Sequence, residues 1–233
     1  MAYRLLIFDA DNTLFDYDRG EAYALSLAFR DQKLVFHQET MVSLYRRINK
    51  SIWRAFEAGE IPQGEISFRR FGEFFRELGV GCDIRAFSAS YLGHLAEAHY
   101  LVEGAEDVVA TLSKSYSMAI VTNGLSRVQR GRFGRSPIAG LFDPIVISDE
   151  VGVQKPNPEI FDHVFEAYPH VCREEVLMIG DSLTSDIAGG VAAGIDTCWF
   201  NPGRDPGAPA GGGRFLPDPT YEIGSLGELL RML

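Results

Sequence analysis

Short apolar runs that alternate with helical stretches constrain this chain more than any other feature. Tyr3-Arg4-Leu5-Leu6-Ile7-Phe8 is one such run, and it stops abruptly at Asp9. Others lie at 117–121, 144–148, 176–179 and 197–200, with helical texture between them. Runs this short and this apolar read as strands covered on both faces. Their alternation with helices predicts βαβ units and a parallel sheet. The expected fold class is therefore α/β, a doubly wound, Rossmann-like parallel sheet.

From about residue 18 to residue 99 the texture changes to helical periodicity. Phe68, Phe71, Phe74, Phe75 and Leu78 recur at helical spacing and are expected in a helical core. Four helices are predicted over 19–33, 38–58, 65–79 and 84–98, punctuated by Gly59, Pro62, Gly64, Gly79 and Gly81. The first strand then belongs with the C-terminal half, and the helical block is an insertion. This divides the chain into an α/β core, 1–16 and 101–233, and a helical domain, 17–100. Residues 201–219 are rich in Pro and Gly and read as a long surface loop. Its Gly211-Gly212-Gly213 lacks the Gly-x4-Gly-Lys-Ser/Thr pattern of a phosphate cradle. A short amphipathic helix is expected over 226–233.

Composition narrows the function classes. Lys and Arg number 22 against 32 Asp and Glu, a net charge of −10, so no footprint for a nucleic-acid polymer exists. A small anionic substrate is still compatible, because a local pocket field can oppose the global one. No apolar run approaches the ~20 residues that span a bilayer, so no membrane partner is expected. Met1 to Phe8 is too short for a signal peptide, and a cytoplasmic location is expected. Cys82, Cys172 and Cys198 are odd in number and form no CxxC, which suits a reducing compartment and structural, buried thiols.

In doubly wound folds ligands bind at the carboxyl ends of the strands. After the first strand come Asp9 and Asp11, which project to the same side in extended chain. One Asp there is an ordinary turn residue; two together repel unless a cation or substrate intervenes. After the second run comes Thr122-Asn123-Gly124, which can cap a helix or bind an oxyanion. After the third, Lys155 precedes Pro156 and is either a solvated lysine or a site cation. After the fourth comes Gly180-Asp181, with Asp186 five residues on. Taken together, Asp9, Asp11, Asp181, Thr122 and Lys155 fall on one edge of one sheet. Carboxylates without His or Cys suit Mg²⁺, and Mg²⁺ with Lys, Thr and backbone amides suits phosphoryl transfer.

Asp-x-Asp-x-Thr, Thr-Asn, Lys-Pro and Gly-Asp-x4-Asp, in that order over the whole chain, resemble the haloacid dehalogenase superfamily. Its helical insertion after strand one is similar to the block at 17–100. The resemblance implies that Asp9 is the nucleophile, forming an aspartyl phosphate. Asp11 would be general acid to the leaving oxygen and then general base to water. Thr122 and Asn123 would hold phosphoryl oxygens, and Lys155 would offset negative charge there. Mg²⁺ would be bound by Asp9, the backbone carbonyl of Asp11, and Asp181, with Asp186 behind them orienting water or Lys155. Asp11 also points away from halide displacement, which needs no proton. Phosphomutases share these motifs, and a silent binding protein or a signalling receiver domain are further alternatives. The receiver has an adjacent acidic pair, about half this length and no insertion.

Finer features resemble bacterial house-cleaning pyrimidine 5′-nucleotidases: Phe8 to Phe15, Asn49 to Trp53, Ile147 to Asn157, and Thr197 to Asn201. The implied substrate is a small phosphorylated metabolite, a nucleoside 5′-monophosphate, with other sugar phosphates as the alternative. Asn12, at a position often acidic in relatives, is expected to face away from Asp9 and Asp11. Asn49 and Trp53 share a helix face, i and i+4, where Trp can stack on a base and Asn can read its edge. Trp53 as helical core and Asn49 as polar surface is the other reading. Arg46 lies on the same face and could meet phosphate or carboxylate, and Phe15 and Tyr17 could line the entrance. The five histidines show no ligand spacing.

Overall fold

The computed structural model describes residues 3–203 and 217–233. Most of the Pro/Gly-rich stretch expected as a surface loop, including Gly211-Gly212-Gly213, lies outside the described residues. The six-stranded sheet runs in the order β3-β2-β1-β4-β5-β6, and every pairing is parallel. The strands are β1 (Leu5–Phe8), β2 (Ser117–Thr122), β3 (Ile145–Ile147), β4 (Val176–Gly180), β5 (Asp196–Phe200) and β6 (Tyr221–Ile223). Five of them stand where the apolar runs predicted. The last was not expected: it has three residues, exposes Tyr221 and follows a stretch dominated by Pro and Gly.

Alternate residues of the central strands feed two separate cores. Leu6, Phe8, Met118, Ile120, Leu177 and Ile179 face one side, beneath α5 (Ala105–Leu112). Leu5, Ile7, Ala119, Val121, Val176 and Met178 face the other, beneath the helix Glu159–Ala167. With both faces covered, a strand gains nothing from polar alternation, so the runs are apolar throughout.

The helical block contains α1 (Tyr17–Asp31), α2 (Gln38–Glu57), α3 (Ile66–Leu78) and α4 (Ile84–Glu97). Asp16 caps α1 by accepting from Arg19 N–H, and Asp83 caps α4 by accepting from Arg85 and Ala86 N–H. Gly79 ends α3 at a φ of +66°, a left-handed conformation that glycine adopts without Cβ strain. The core of the block is aromatic: Phe29, Tyr45, Phe71, Phe74, Phe75, Phe87 and Tyr91 are each 3% exposed or less. Phe68 was expected among them but is 57% exposed, because the buried stripe of α3 runs through Arg70, Phe71, Phe74 and Phe75. No cysteine is in a disulfide, and only Cys198 has the burial expected of a structural thiol; Cys172 is exposed.

The chain leaves the sheet layer at Asp16 and returns at Tyr100. The two crossings are joined by Asp16 N–H to Tyr100 C=O at 2.9 Å and by Val102 N–H to Leu14 C=O at 2.9 Å. A second contact between the layers involves α6 (Ser126–Phe133), whose Val128 joins the aromatic core of the block. There Gly131 faces Ala96: a Cβ on Gly131 would lie 2.7 Å from the Ala96 carbonyl oxygen. Backbone cannot move aside as a side chain can. Gly131→Ala is therefore expected to destabilise the protein by about 1–3 kcal/mol, measured as a lower urea midpoint; an unchanged midpoint would contradict this packing.

Candidate active site

The strand order reverses direction at β1: the chain moves outward to β2 and β3 on one side and to β4, β5 and β6 on the other. A crevice opens at the carboxyl ends where the order switches. Asp9 leaves β1 there, its N–H bonded to Ile179 C=O at 2.9 Å. The next turn closes tightly, with Leu14 and Phe15 N–H both on Ala10 C=O. It needs a left-handed residue at Asn12, φ 58°, which Asn tolerates better than most residues. Asn12 was expected to face away from the acidic pair; instead it lines the same cleft as Asp9 and Asp11.

Lys155 is the centre of the crevice. Its ammonium is 1% exposed and donates to Asp9 Oδ1 at 2.6 Å and Val121 C=O at 2.6 Å, and it lies 2.7 Å from Asp186 Oδ1. The lysine backbone is fixed as well. Asn123 Oδ1 accepts from Lys155 N–H at 2.8 Å, and Asn123 Nδ2 donates to Lys155 C=O at 2.8 Å. The Asn123 carboxamide, expected to meet phosphate, is thus committed to the Lys155 main chain. Asp186 sits in a π-helical turn, Leu183–Ile187, where its Oδ2 accepts from Ser182 N–H at 2.9 Å.

Oxygens of Asp9, Asp181 and Asp186 all lie within 4.8 Å of one another. Three carboxylates and no soft ligand make a donor set that fits Mg²⁺. The Asp11 side chain, by contrast, points to the other wall of the crevice. Burial raises the Asp9 carboxyl to about 7; Lys155 opposes the shift, while Asp186 and Asp11 add to it. Burial, then Asp186 and Asp9, raise Asp181 to about 9. Burial works against the Lys155 charge, but Asp186 and Asp9 outweigh it and hold the ammonium protonated.

The opposite wall comes from β2 and α6. Thr122 is 1% exposed, and its Oγ1 accepts from Gln129 Nε2 at 3.1 Å. The same Nε2 donates to Asp11 Oδ2 at 3.0 Å. Arg132 Nη2 lies 2.5 Å from Asp11 Oδ1 and donates to Gln129 Oε1 at 3.0 Å. Gly124 allows this closeness, because a Cβ there would overlap the Gln129 side chain. Gln129 and Arg132 were not singled out in the sequence, although both are 1% exposed or less. Their signal was the i, i+3 placement of two long polar side chains on the helix that follows Thr122-Asn123-Gly124.

The helical block supplies the roof. Tyr17, Asn49, Lys50 and Trp53 line the cleft, which holds about 340 Å³. Asn49 is buried, accepting from Arg70 and donating to Glu21. Trp53 stands against Phe56 with ring centroids 5.6 Å apart. Two expected residues are elsewhere. Arg46 is drawn away by Glu21 Oε1 at 2.9 Å, Asp18 Oδ2 and the Asp18 carbonyl. Phe15 is fully buried and packs on Phe133 beneath the Arg132 guanidinium, so it supports the floor and does not line the entrance.

Comparison with known proteins agrees with this architecture. Residues 3–194 match the family model described as haloacid dehalogenase-like hydrolase. The Bacillus subtilis protein YfnB is 41% identical over 99% of this chain and 95% of its own length. Its crystal structure bound to magnesium superposes with a TM-score of 0.90 over 100% of this chain and 99% of that one. Pyrimidine 5′-nucleotidase YjjG of Escherichia coli is 34% identical over 100% of this chain and 99% of its own. Pyrimidine 5′-nucleotidase PynA of Streptococcus pneumoniae is 32% identical over 100% and 96%.

The carboxyls carry a pH signature. With Asp9 and Asp181 raised from 3.8 to about 7 and about 9, the folded protein keeps protons that the unfolded chain has released. Stability present at low pH is then lost as pH rises through those values. In chelator, the melting temperature is expected to fall between about pH 6 and about pH 9, and Asp181→Asn to flatten that fall. Calorimetry that found a flat or rising profile for the unsubstituted protein would contradict it.

Proposed function

The chain belongs to the haloacid dehalogenase-like hydrolases, and from that premise we propose a Mg²⁺-dependent phosphatase of nucleoside 5′-monophosphates with a pyrimidine preference. The observation that carries the reading is the buried Asp9–Lys155 pair, with Asp181 and Asp186 on one side of it and Asp11 on the other. The residues 1–16 and 101–233 supply the chemistry. The block 17–100 acts as a cap that encloses the leaving group and excludes water.

Asp9 Oδ1 is held by Lys155, which leaves Oδ2 to attack phosphorus in line. The P–O bond to the leaving group breaks, and an aspartyl phosphate forms on Asp9. Asp11 gives its proton to the leaving oxygen, then takes one from the water that attacks phosphorus and frees Asp9. Gln129 and Arg132 position Asp11 for both steps. Thr122 Oγ1 and Lys155 meet the phosphoryl oxygens, while Asn123 keeps the Lys155 main chain in place. Mg²⁺ held by Asp9, the backbone carbonyl of Asp11 and Asp181, with Asp186 behind them orienting water or Lys155, would neutralise the phosphate dianion that the bare carboxylates repel. Asp11 favours an oxygen leaving group over a halide, because only the former needs a proton.

The pyrimidine preference rests on the full-length likeness to two pyrimidine 5′-nucleotidases and on the roof, where Trp53 can stack on a base and Asn49 stands beside it. The test is phosphate release, with and without Mg²⁺, from a panel of nucleoside monophosphates, sugar phosphates and 4-nitrophenyl phosphate. Mg²⁺-dependent release, highest from UMP and CMP, is expected. Asp9→Asn should lower kcat at least about 100-fold, while Lys155 keeps its ion pair with Asp186. Release from sugar phosphates alone would move the assignment to a sugar phosphatase, and release from none would overturn it.

A further inference from the structure

We propose that Arg70 is a specificity residue that donates hydrogen bonds to a ring carbonyl of the leaving group, the 2-oxo group that cytosine, uracil and thymine share. The inference rests on the nucleotidase reading above and goes further, naming the atom that is read. Arg70 lies on α3 and is 2% exposed. The rings of Tyr45, Phe71 and Tyr91 surround its guanidinium at 4.9–5.5 Å. Its Nη1 donates to Asn49 Oδ1 at 2.8 Å, and Asn49 Nδ2 donates on to Glu21 Oε2 at 3.3 Å. Its Nε and Nη2 have no hydrogen-bond partner among the described residues.

A guanidinium buried with unused N–H groups is costly, and a helical core gains more from a Leu or Met of similar volume. The arginine therefore has work that an apolar residue cannot do. It stands on the wall of a cavity of about 30 Å³ between the helical block and α6. Asp11, Tyr17 and Trp53 line both this cavity and the catalytic cleft, so the two are adjoining spaces. A cavity of that size admits about one oxygen atom.

The polar character of the wall selects the ligand. Arg132 also reaches it, and its Nε and Nη1 likewise lack partners among the described residues. The carboxylate of Asp11 is already met by Arg132 and Gln129. The N–H groups of Arg70 and Arg132 that are left without partners are donors, so a group that meets them must accept. A carbonyl oxygen fits, whereas an amino group would set donor against donor. Leu92, Leu125 and Val128 complete the wall as apolar surface suited to a ring edge. Because α3, α6 and the Gly124–Leu125 turn all contribute, the site exists only where the cap meets the core.

The test is the ratio of kcat/KM for UMP and CMP to that for 4-nitrophenyl phosphate, in Arg70→Met and in the unsubstituted enzyme. The ratio is expected to fall at least about tenfold, the scale of a hydrogen bond to a charged donor. A fall of less than about threefold overturns the inference and leaves Arg70 as packing. Since Arg70→Met could loosen the cap, the unsubstituted enzyme is also assayed with a phenyl C-ribonucleoside 5′-monophosphate, which keeps the sugar and ring but carries no carbonyl. Its kcat/KM is expected at least about tenfold below that of UMP, and parity overturns the inference. An unsubstituted enzyme that turns over neither UMP nor CMP overturns the nucleotidase reading itself, before any variant is made, and the inference with it.

Discussion

The ammonium of Lys155 is the point on which the crevice is organised. It is buried, and it touches a carboxylate after β1, the last turns of β2 through Val121 C=O, and the carboxylate of Asp186 beyond β4. Three separate segments of chain are thereby tied at one atom. Without that cation, the clustered carboxylates of Asp9, Asp181 and Asp186 would repel across less than 5 Å. Removing one partner of a buried charge pair commonly costs about 3–5 kcal/mol, because the other charge is left stranded. The clamp of Asn123 on the Lys155 main chain follows from this: a charge that must sit within hydrogen-bond reach of three acceptors needs a fixed backbone.

The sheet explains why these groups can meet at all. Phe8, Ile120 and Ile179 stand in register across β2, β1 and β4, so the residues that follow them emerge at one level. The order switch at β1 then leaves a gap between the outgoing connections, and the helical block is inserted at that gap. Its roof brings apolar rings over a charged floor, and a buried arginine stands on each side of the junction. Arg132 holds Asp11 from the sheet side and Arg70 holds Asn49 from the side of the helical block. A charged floor suits a phosphate, and hydrogen-bond donors under an apolar roof suit an uncharged leaving group.

Much of this is legible in the sequence. Strands covered on both faces write themselves as continuous apolar runs, which is why five of them were visible and why Asp9 and Asp181 could be placed at their ends. The helices of the block were visible because one stripe of each is apolar. Side chains that act through others were not. Gln129 and Arg132 look like surface residues on a polar helix until α6 is seen packed between the block and the crevice. Arg46 and Asn49 share a helix face, yet Glu21 on α1 captures the first and holds the second in the roof. Phe15 follows the acidic turn closely in sequence, but the tight turn on Ala10 folds it back beneath Arg132. These outcomes depend on the neighbour across the interface, which spacing along one element does not reveal.

The claim on which all of this rests is that Asp9 becomes covalently phosphorylated. Asp11→Asn should slow release of the phosphoryl group more than its capture from 4-nitrophenyl phosphate, because a good leaving group needs little proton assistance. That variant, mixed with substrate and Mg²⁺, quenched in acid and reduced with borohydride, should carry homoserine at position 9, since an acyl phosphate is reduced where a free carboxylate is not. Mass spectrometry of the peptide spanning residues 5–19 reads the result directly. Homoserine at position 9 alone is the predicted outcome. An unmodified Asp9 under conditions of measurable turnover would contradict the account.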